Sequence, residues 1–264
     1  MAAKSFREKC RQGIHTGPTC GHRDGHAQAN LVVLPREPAR HFREFCHSNP
    51  KPCPLLEVVD GPLVRDVAPG ADLRTDLPRY RVYRRGILSE EVTDISHLWK
   101  PELELVAFLL GCSFSFEEAL AKAGLPLRHV EEGRNVPMYR TDRPCQPAGP
   151  FRGPLVVSMR PMPEDQVDRA REITRRYPRV HGSPIHAGDP GAIGVSDLSA
   201  PLFGDAVTVH PNEVPVFWAC GATPQAVVME SKPELCITHA PGHMLVLDVL
   251  NEDLAATDER EIAP

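Results

Sequence analysis

Apolar positions along the chain fall into short runs divided by Pro, Gly and charged clusters, and two spacings recur among them. Ala29 to Leu34 is a β-branched apolar run that predicts a strand, whereas Ala39 to His47 has helical spacing, with Phe42 and Phe45 on one side. Leu55 to Val59 is again strand-like, so the three segments form a candidate βαβ unit, and Tyr80 to Tyr83 adds a further strand. The apolar segment Glu102 to Leu110 suits a buried helix that stops near Gly111. Ser115 followed by Glu118 is a capping-box signature for a second helix ending at Gly124. On that reading the loop Cys112-Ser113-Phe114-Ser115 is pinned between two helices.

Leu155 to Met159 is a predicted strand, and Pro163-Glu-Asp opens a helix that runs to about Arg176, before Pro178. Val214 to Ala219 is a strand, Thr223 with Pro224 opens a helix through Met229, and Leu235 to Thr238 is the next strand. This second βαβ unit predicts parallel neighbours whose carboxyl ends share one edge of a sheet, bringing Cys220-Gly221 and His239 together. Ligands of open α/β sheets bind at that edge. The expected fold is therefore α/β, a mixed and partly parallel sheet flanked by helices. Residues 1–130 with 212–264 make the core domain, and 131–211 form an inserted, smaller α+β domain whose loops close over the sheet edge.

Composition narrows the possible partners. A formal net charge of −5 over 264 residues, with basic pairs such as Arg84-Arg85 and Arg175-Arg176 interspersed with acids, argues against nucleic acid and anionic membranes. The longest apolar run, Leu105 to Cys112, is far too short to span a bilayer, and the polar N-terminus lacks a secretory apolar segment, so a soluble, cytoplasmic protein is expected. Eight scattered cysteines with no Cys-x-x-Cys pair point to reduced thiols. The 28 prolines, about twice ordinary usage, predict a turn-rich chain, and the acidic tail after Leu250 is expected to fray. A homo-oligomer is left open.

Reactive side chains concentrate in three Pro/Gly-rich segments: His181-Gly-Ser-Pro-Ile-His186-Ala-Gly-Asp189-Pro, Val214-Pro-Val-Phe-Trp218-Ala-Cys220-Gly221 and Ile237-Thr-His239-Ala-Pro-Gly-His243-Met. Loops held on a rigid scaffold commonly carry binding and catalytic groups. Histidine serves either direction of proton transfer near neutral pH, which makes His181, His186, His239 and His243 candidates, with Asp189 to orient one imidazole and with His186 and His239 favoured. Cys112 and Cys220 are candidate nucleophiles, weighed against burial as packing residues. For an acidic ligand, Arg160 at the carboxyl end of its strand and Arg140 supply guanidinium forks. Gly111, Ser113, Ser115 and Gly221 let backbone or hydroxyl donors approach an oxyanion, and Trp218 is core or pocket wall. His239 and His243 have the separation of helical zinc ligands, but Pro241 and Gly242 break any helix between them, so no metal is expected. No Gly-rich phosphate fingerprint is present, and no nucleotide cofactor is implied.

Several long motifs, in order, carry a family resemblance. Asn49-Pro-Lys-Pro-Cys-Pro-Leu-Leu-Glu57, Gly111-Cys-Ser-Phe-Ser-Phe-Glu117, Asn135-Val-Pro-Met-Tyr-Arg-Thr141, Val157-Ser-Met-Arg-Pro161, the His181 segment, Pro215-Val-Phe-Trp-Ala-Cys-Gly221 and Thr238-His-Ala-Pro-Gly-His-Met244 resemble the D-glutamate cyclase family of bacterial hydro-lyases. The resemblance spans residues 10 to 250. Cys20-Gly-His-Arg-Asp-Gly-His26 departs from it, standing where the family has a more apolar, Tyr-containing stretch.

The resemblance implies that water is eliminated from D-glutamate, a small acidic amino acid, to give 5-oxo-D-proline without a cofactor. Ring closure needs a base for the α-amine, an acid for the leaving oxygen and an anion clamp, which the histidines and arginines above are expected to provide. Two alternatives use the same residues differently: metal-assisted hydrolysis of an amide or lactam, and carboxylate binding without turnover.

Overall fold

The computed structural model describes residues 2–19 and 25–256. Residues 20–24 of the divergent Cys20–His26 segment and residues 257–264 of the acidic tail lie outside the described residues. The chain begins with helix α1 (Ala2–Arg11), strand β1 (His26–Pro35), α2 (Arg36–Ser48), β2 (Leu55–Asp60), β3 (Tyr80–Arg84), β4 (Ile87–Val92) and β5 (Leu105–Gly111). It continues through α3 (Phe114–Lys122), α4 (Arg128–Glu131), β6 (Met138–Pro144), β7 (Pro154–Pro163), α5 (Val167–Arg175) and the two-residue β8 (His186–Ala187). The last elements are β9 (Glu213–Ala219), α6 (Thr223–Ser231), β10 (Cys236–His239) and β11 (Leu245–Leu250).

Two sheets organise these elements. A seven-stranded sheet has the order β2-β5-β1-β10-β3-β4, with β11 also pairing with β1, and a four-stranded sheet has the order β6-β7-β9-β8. Every ladder among the described residues is antiparallel. The α/β class holds, but the expected parallel pairing does not. The crossover through α2 does join strands running the same way, but β5 inserts between β1 and β2, antiparallel to both.

The second expected βαβ unit fails differently: β9 pairs with β7 in the smaller sheet, while β10 pairs with β1 and β3 in the larger one. Helix α6 therefore crosses between sheets rather than over one. The smaller sheet also reaches past residue 211, because β9 runs to Ala219.

The segment expected as a buried helix, Glu102 to Leu110, is instead a short helical turn at Pro101–Leu103 followed by β5. A continuous apolar run does not by itself distinguish a buried helix from a strand covered on both faces. Here the packing chooses the strand. Leu105, Ala107 and Leu109 enter one core with Leu31, Val33, Phe116 and Trp218, while Val106, Phe108 and Leu110 enter another with Phe42, Phe45 and Phe151. Helix α2 covers the second core, and Phe42 meets Phe108 and Phe151 edge-on at 4.9 and 5.2 Å. Burying each such ring contributes about 1.5–3 kcal/mol.

Strand β7 also separates two surroundings. Val157 and Met159 join the outer core with Phe217 and Tyr139, whereas Ser158, Arg160 and Met162 alternate toward the other side, with Trp218 and Phe116. Helix α3 lies on that inner side and ends where the pattern indicated, at Gly124 with φ +75°. Its start is two residues earlier than Ser115 suggested. Ser113 occupies the cap position, and Ser115 is inside the first turn.

No helix among the described residues is long and apolar enough to cross a membrane.

Candidate active site

Two strand-to-helix turns meet between the sheets. β5 ends at Gly111, and Cys112-Ser113 leads into α3; β9 ends at Ala219, and Cys220-Gly221-Ala222 leads into α6. With the end of β10 they enclose a narrow cleft lined by Asn30, Cys112, Ser113, Asn135, Cys220, Gly221, Gln225 and His239, with Phe114, Met138 and Met244 among its apolar walls. Cys220, Gly221 and His239 thus share one site, as the strand pattern suggested, though the crossover that joins them links two sheets.

Close packing fixes the turns. A Cβ on Gly221 would stand 2.1 Å from Asn30 Nδ2, which is held in place by donating to the Gly111 carbonyl at 2.8 Å. A Cβ on Gly111 would meet the Arg179 carbonyl oxygen at 2.0 Å. The amides of Ser113 and Gly221 donate to no protein acceptor among the described residues. Both stand at helix starts, where partial positive charge favours an anion.

His239 is 4 % exposed at the end of β10. Its Nδ1 lies 3.1 Å from the Leu31 amide nitrogen and 3.4 Å from the Leu31 carbonyl. The shorter contact makes Nδ1 an acceptor, so in the neutral ring Nε2 carries the proton and is the nitrogen left for the cleft. Burial pushes the ring down to about 4, which keeps it neutral at physiological pH. In this tautomer His239 presents an N–H to the cleft that it lines.

Arg160 is not at the carboxyl end of its strand, because β7 continues to Pro163. Fully buried, its guanidinium lies 5.2 Å from the Phe116 ring and 5.3 Å from that of Trp218. Nε and Nη2 donate to Glu117 Oε1 at 3.0 and 2.6 Å, Nη1 to Ser158 Oγ at 3.1 Å and Nη2 to Ser113 Oγ at 3.1 Å. Burial works to raise the Glu117 carboxyl, but Arg160, with His129 Nε2 at 3.2 Å, outweighs it and holds the group at about 2. The expected carboxylate clamp is therefore committed to a buried ion pair. It still reaches the cleft indirectly: Ser113 accepts from Arg160, which leaves the Ser113 hydroxyl hydrogen for the cleft that Ser113 lines. Glu117 was missed because a charged residue inside a helical pattern ordinarily reads as solvated.

The remaining expected residues lie elsewhere. His186 pairs with Phe217 on the outer face of the smaller sheet, and its Nε2 bonds the Asp189 backbone carbonyl at 2.7 Å. The Asp189 carboxylate accepts from the Gly191 amide at 3.0 Å, so it caps a turn and orients no imidazole. Arg140 is exposed beside Glu230 at 3.4 Å. His243 is tied to the Pro241 carbonyl at 2.8 Å within its own turn. Trp218 is core, donating from Nε1 to Thr174 Oγ1 at 3.1 Å. Ser115 Oγ accepts from the Gln28 amide at 3.4 Å and borders a separate hollow of about 300 Å³, whose lining holds no histidine or cysteine.

His181 is buried under the end of β5 in a left-handed conformation, φ +84°. Its Nδ1 bonds the Lys51 carbonyl at 2.8 Å, and the Gly111 backbone also lies against the ring. Burial pushes this ring also down to about 4. Among the described residues no three His, Cys, Asp or Glu side chains gather as a metal site would require.

These two histidines set an acid-side stability limit. A folded value near 4 lies below the unfolded 6.5, so the unfolded chain binds more protons between those limits, and stability falls as pH drops from 6.5 toward 4. With both rings contributing, the expected slope is roughly 2–3 kcal/mol per pH unit near pH 5. Below pH 4.5 the lowered Glu117 carboxyl adds a loss of the same sign. Urea titrations at stepped pH check this. His181→Gln and His239→Gln are each expected to remove about one proton from the slope, and an unchanged slope would mean that neither ring is held neutral.

Comparison with known proteins agrees with the motif order. The family model described as D-glutamate cyclase matches residues 106–248. "Putative hydro-lyase RBAM_004300" of Bacillus velezensis is 57% identical over 257 residues, 97% of each chain. "Putative hydro-lyase YcsI" of Bacillus subtilis is 56% identical over 257 residues, 97% of this chain and 99% of its own. A "Putative hydro-lyase" of Rubrobacter xylanophilus is 60% identical over 248 residues, 93% and 95% of the two chains. Among solved structures, a nitrogen repressor-like protein from Methanococcus jannaschii covers 92% of the chain, but with a TM-score of 0.37 and 8% identity, too low to establish a shared fold.

Proposed function

Since this chain belongs to the D-glutamate cyclase family, we propose that its cleft converts D-glutamate to 5-oxo-D-proline and water. The observation that carries this reading is the convergence of two unpaired helix-start amides, Ser113 and Gly221, with the inward nitrogen of His239. Such donors stabilise a carboxylate and, more strongly, the oxyanion formed when the α-amine attacks the γ-carboxyl carbon. In that step the ammonium nitrogen gives up two protons as it forms a bond to the γ-carbon, and one γ-oxygen leaves with both of them as water. Arg160 acts at one remove, by orienting Ser113. Cys220 is assigned the proton transfers, because His239 has its accepting nitrogen occupied.

The cleft is narrow, with about 30 Å³ of free space. The Phe114, Met138 and Met244 side chains supply adaptable apolar walls.

Incubation of purified protein with D-glutamate and no added cofactor, followed by chiral chromatography, is expected to yield 5-oxo-D-proline above the protein-free control. Elemental analysis and chelation on the same preparation are expected to leave activity unchanged. Activity tracking a stoichiometric metal would favour the hydrolase alternative, and saturable glutamate binding without turnover would favour a carboxylate-binding protein.

A further inference from the structure

The two strand-to-helix turns enter the cleft in the same manner from opposite sheets, and each begins with a cysteine. Cys112 follows β5 of the larger sheet and Cys220 follows β9 of the smaller one. In each turn the sulfur accepts from the amide two residues on, Phe114 for Cys112 and Ala222 for Cys220, the latter at 3.4 Å. Both thiols line the cleft, and they are close enough for charge on Cys220 to act on Cys112. The lining has three titratable side chains: these two thiols and His239, which presents a fixed N–H.

We propose that the cleft has a second activity, cofactor-free exchange and inversion of the α-proton of an acidic amino acid, with Cys220 and Cys112 transferring protons on opposite faces of the α-carbon. This rests on the cleft being an amino-acid site. Cys220, as thiolate, takes the α-proton, and the C–H electron pair passes into the α-carboxylate. The added negative charge is met by the Ser113 and Gly221 amides and by His239 Nε2–H. Cys112 then delivers its thiol proton to the opposite face. Cys220 ends as thiol and Cys112 as thiolate, so atoms and electrons balance without oxidant, reductant or further reactant.

The surroundings of the two sulfurs differ in the sense this order needs. Burial raises both thiols, and it pushes Cys112 up to about 12. The amide two residues on and the Arg160 charge act downward on both thiols; the difference is that the Ser158 hydroxyl, which Arg160 anchors at 3.1 Å, also lowers Cys220, whereas negative charge on Cys220 and Glu117 raises Cys112. The ammonium of a bound amino acid brings the remaining positive charge that favours ionisation of one thiol, whose proton passes to solvent before the exchange begins. The pair of helix starts is joined here by an independent feature, the His239 ring, 4 % exposed and lining the same cleft.

The test is incubation of the full chain in D₂O with D-glutamate and, separately, L-glutamate. Loss of the α-proton signal is followed by NMR, enantiomer composition by chiral chromatography, and 5-oxoproline in the same samples. α-Deuteration and interconversion of both enantiomers are expected. Cys112→Ser and Cys220→Ser, purified identically and shown folded by their melting transitions, are each expected to reduce inversion by about a hundredfold or more. No deuteration in samples that cyclise glutamate would overturn the proposal and leave the cyclase reading standing, and no deuteration in samples that only bind it would overturn both. Wild-type inversion in either serine variant would also overturn it. Absence of glutamate binding by calorimetry would overturn both readings.

Discussion

Arg160→Ala is expected to destabilise the protein by about 3–5 kcal/mol, because it strands the Glu117 carboxylate in the interior with only His129 beside it. Lost stacking against Phe116 and Trp218 adds to the cost. The double variant Glu117→Gln with Arg160→Met removes both charges and refills much of the volume. Its melting transition is expected to return most of the way, since apolar replacement of a buried ion pair is often neutral or stabilising. Activity is not expected to return with it, because Ser113 and Ser158 lose the guanidinium that fixes their hydroxyls. Melting curves and kcat/KM on wild type, Arg160→Ala and the double variant measure this. A stable alanine variant that is impaired only in KM would restore Arg160 as a direct substrate clamp.

The second large effect is expected at His239. His239→Ala removes a pre-positioned donor from the cleft, and loss of one such donor typically lowers kcat by 10²–10³-fold. His239→Gln retains an N–H and is expected to recover part of that loss. The pH profile distinguishes a donor from a base. With the ring held neutral down to about 4, the His239 contribution to kcat/KM is expected to persist through neutrality and to fade only as pH drops toward 4. An acidic limb near 6.5 that disappears in His239→Gln would show that the ring itself titrates during turnover and is a base after all.

Among the single elements, those with strong local signals were legible. The helix following Pro163 and the helix opened by Thr223-Pro224 appear where proline and polar caps indicate, and Val214–Ala219 and Leu235–Thr238 are strands to within a residue or two. Leu105–Gly111 was not legible as a strand, because its seven positions are all buried and the alternation between two cores leaves no polar face to reveal period two. Pairing was illegible for a related reason. Crossover length through α2 indicates that β1 and β2 run the same way, but nothing local indicates that β5, from 45 residues beyond β2, inserts between them.

The sequence by itself determined the family, through the order of its long motifs, and determined that cysteine, glycine and histidine meet in turns of restricted geometry. Tertiary structure decided which of them share a cleft. His186 and Asp189 sit in one of the three reactive-looking segments, yet β8 sets His186 against Phe217 and Asp189 caps the turn beyond it. Arg160, one of the best-placed anion clamps by position, is drawn inward because Glu117, 43 residues earlier in the chain, arrives on the facing helix. Ser113 and Cys112, modest in the sequence, become central because Cys220 and Gly221 approach them from the other sheet. The physical reason is common to all three. Chain order and local spacing set what a side chain is capable of, whereas proton state, hydrogen-bond vacancy and burial depend on residues that only long-range packing brings within a few ångströms.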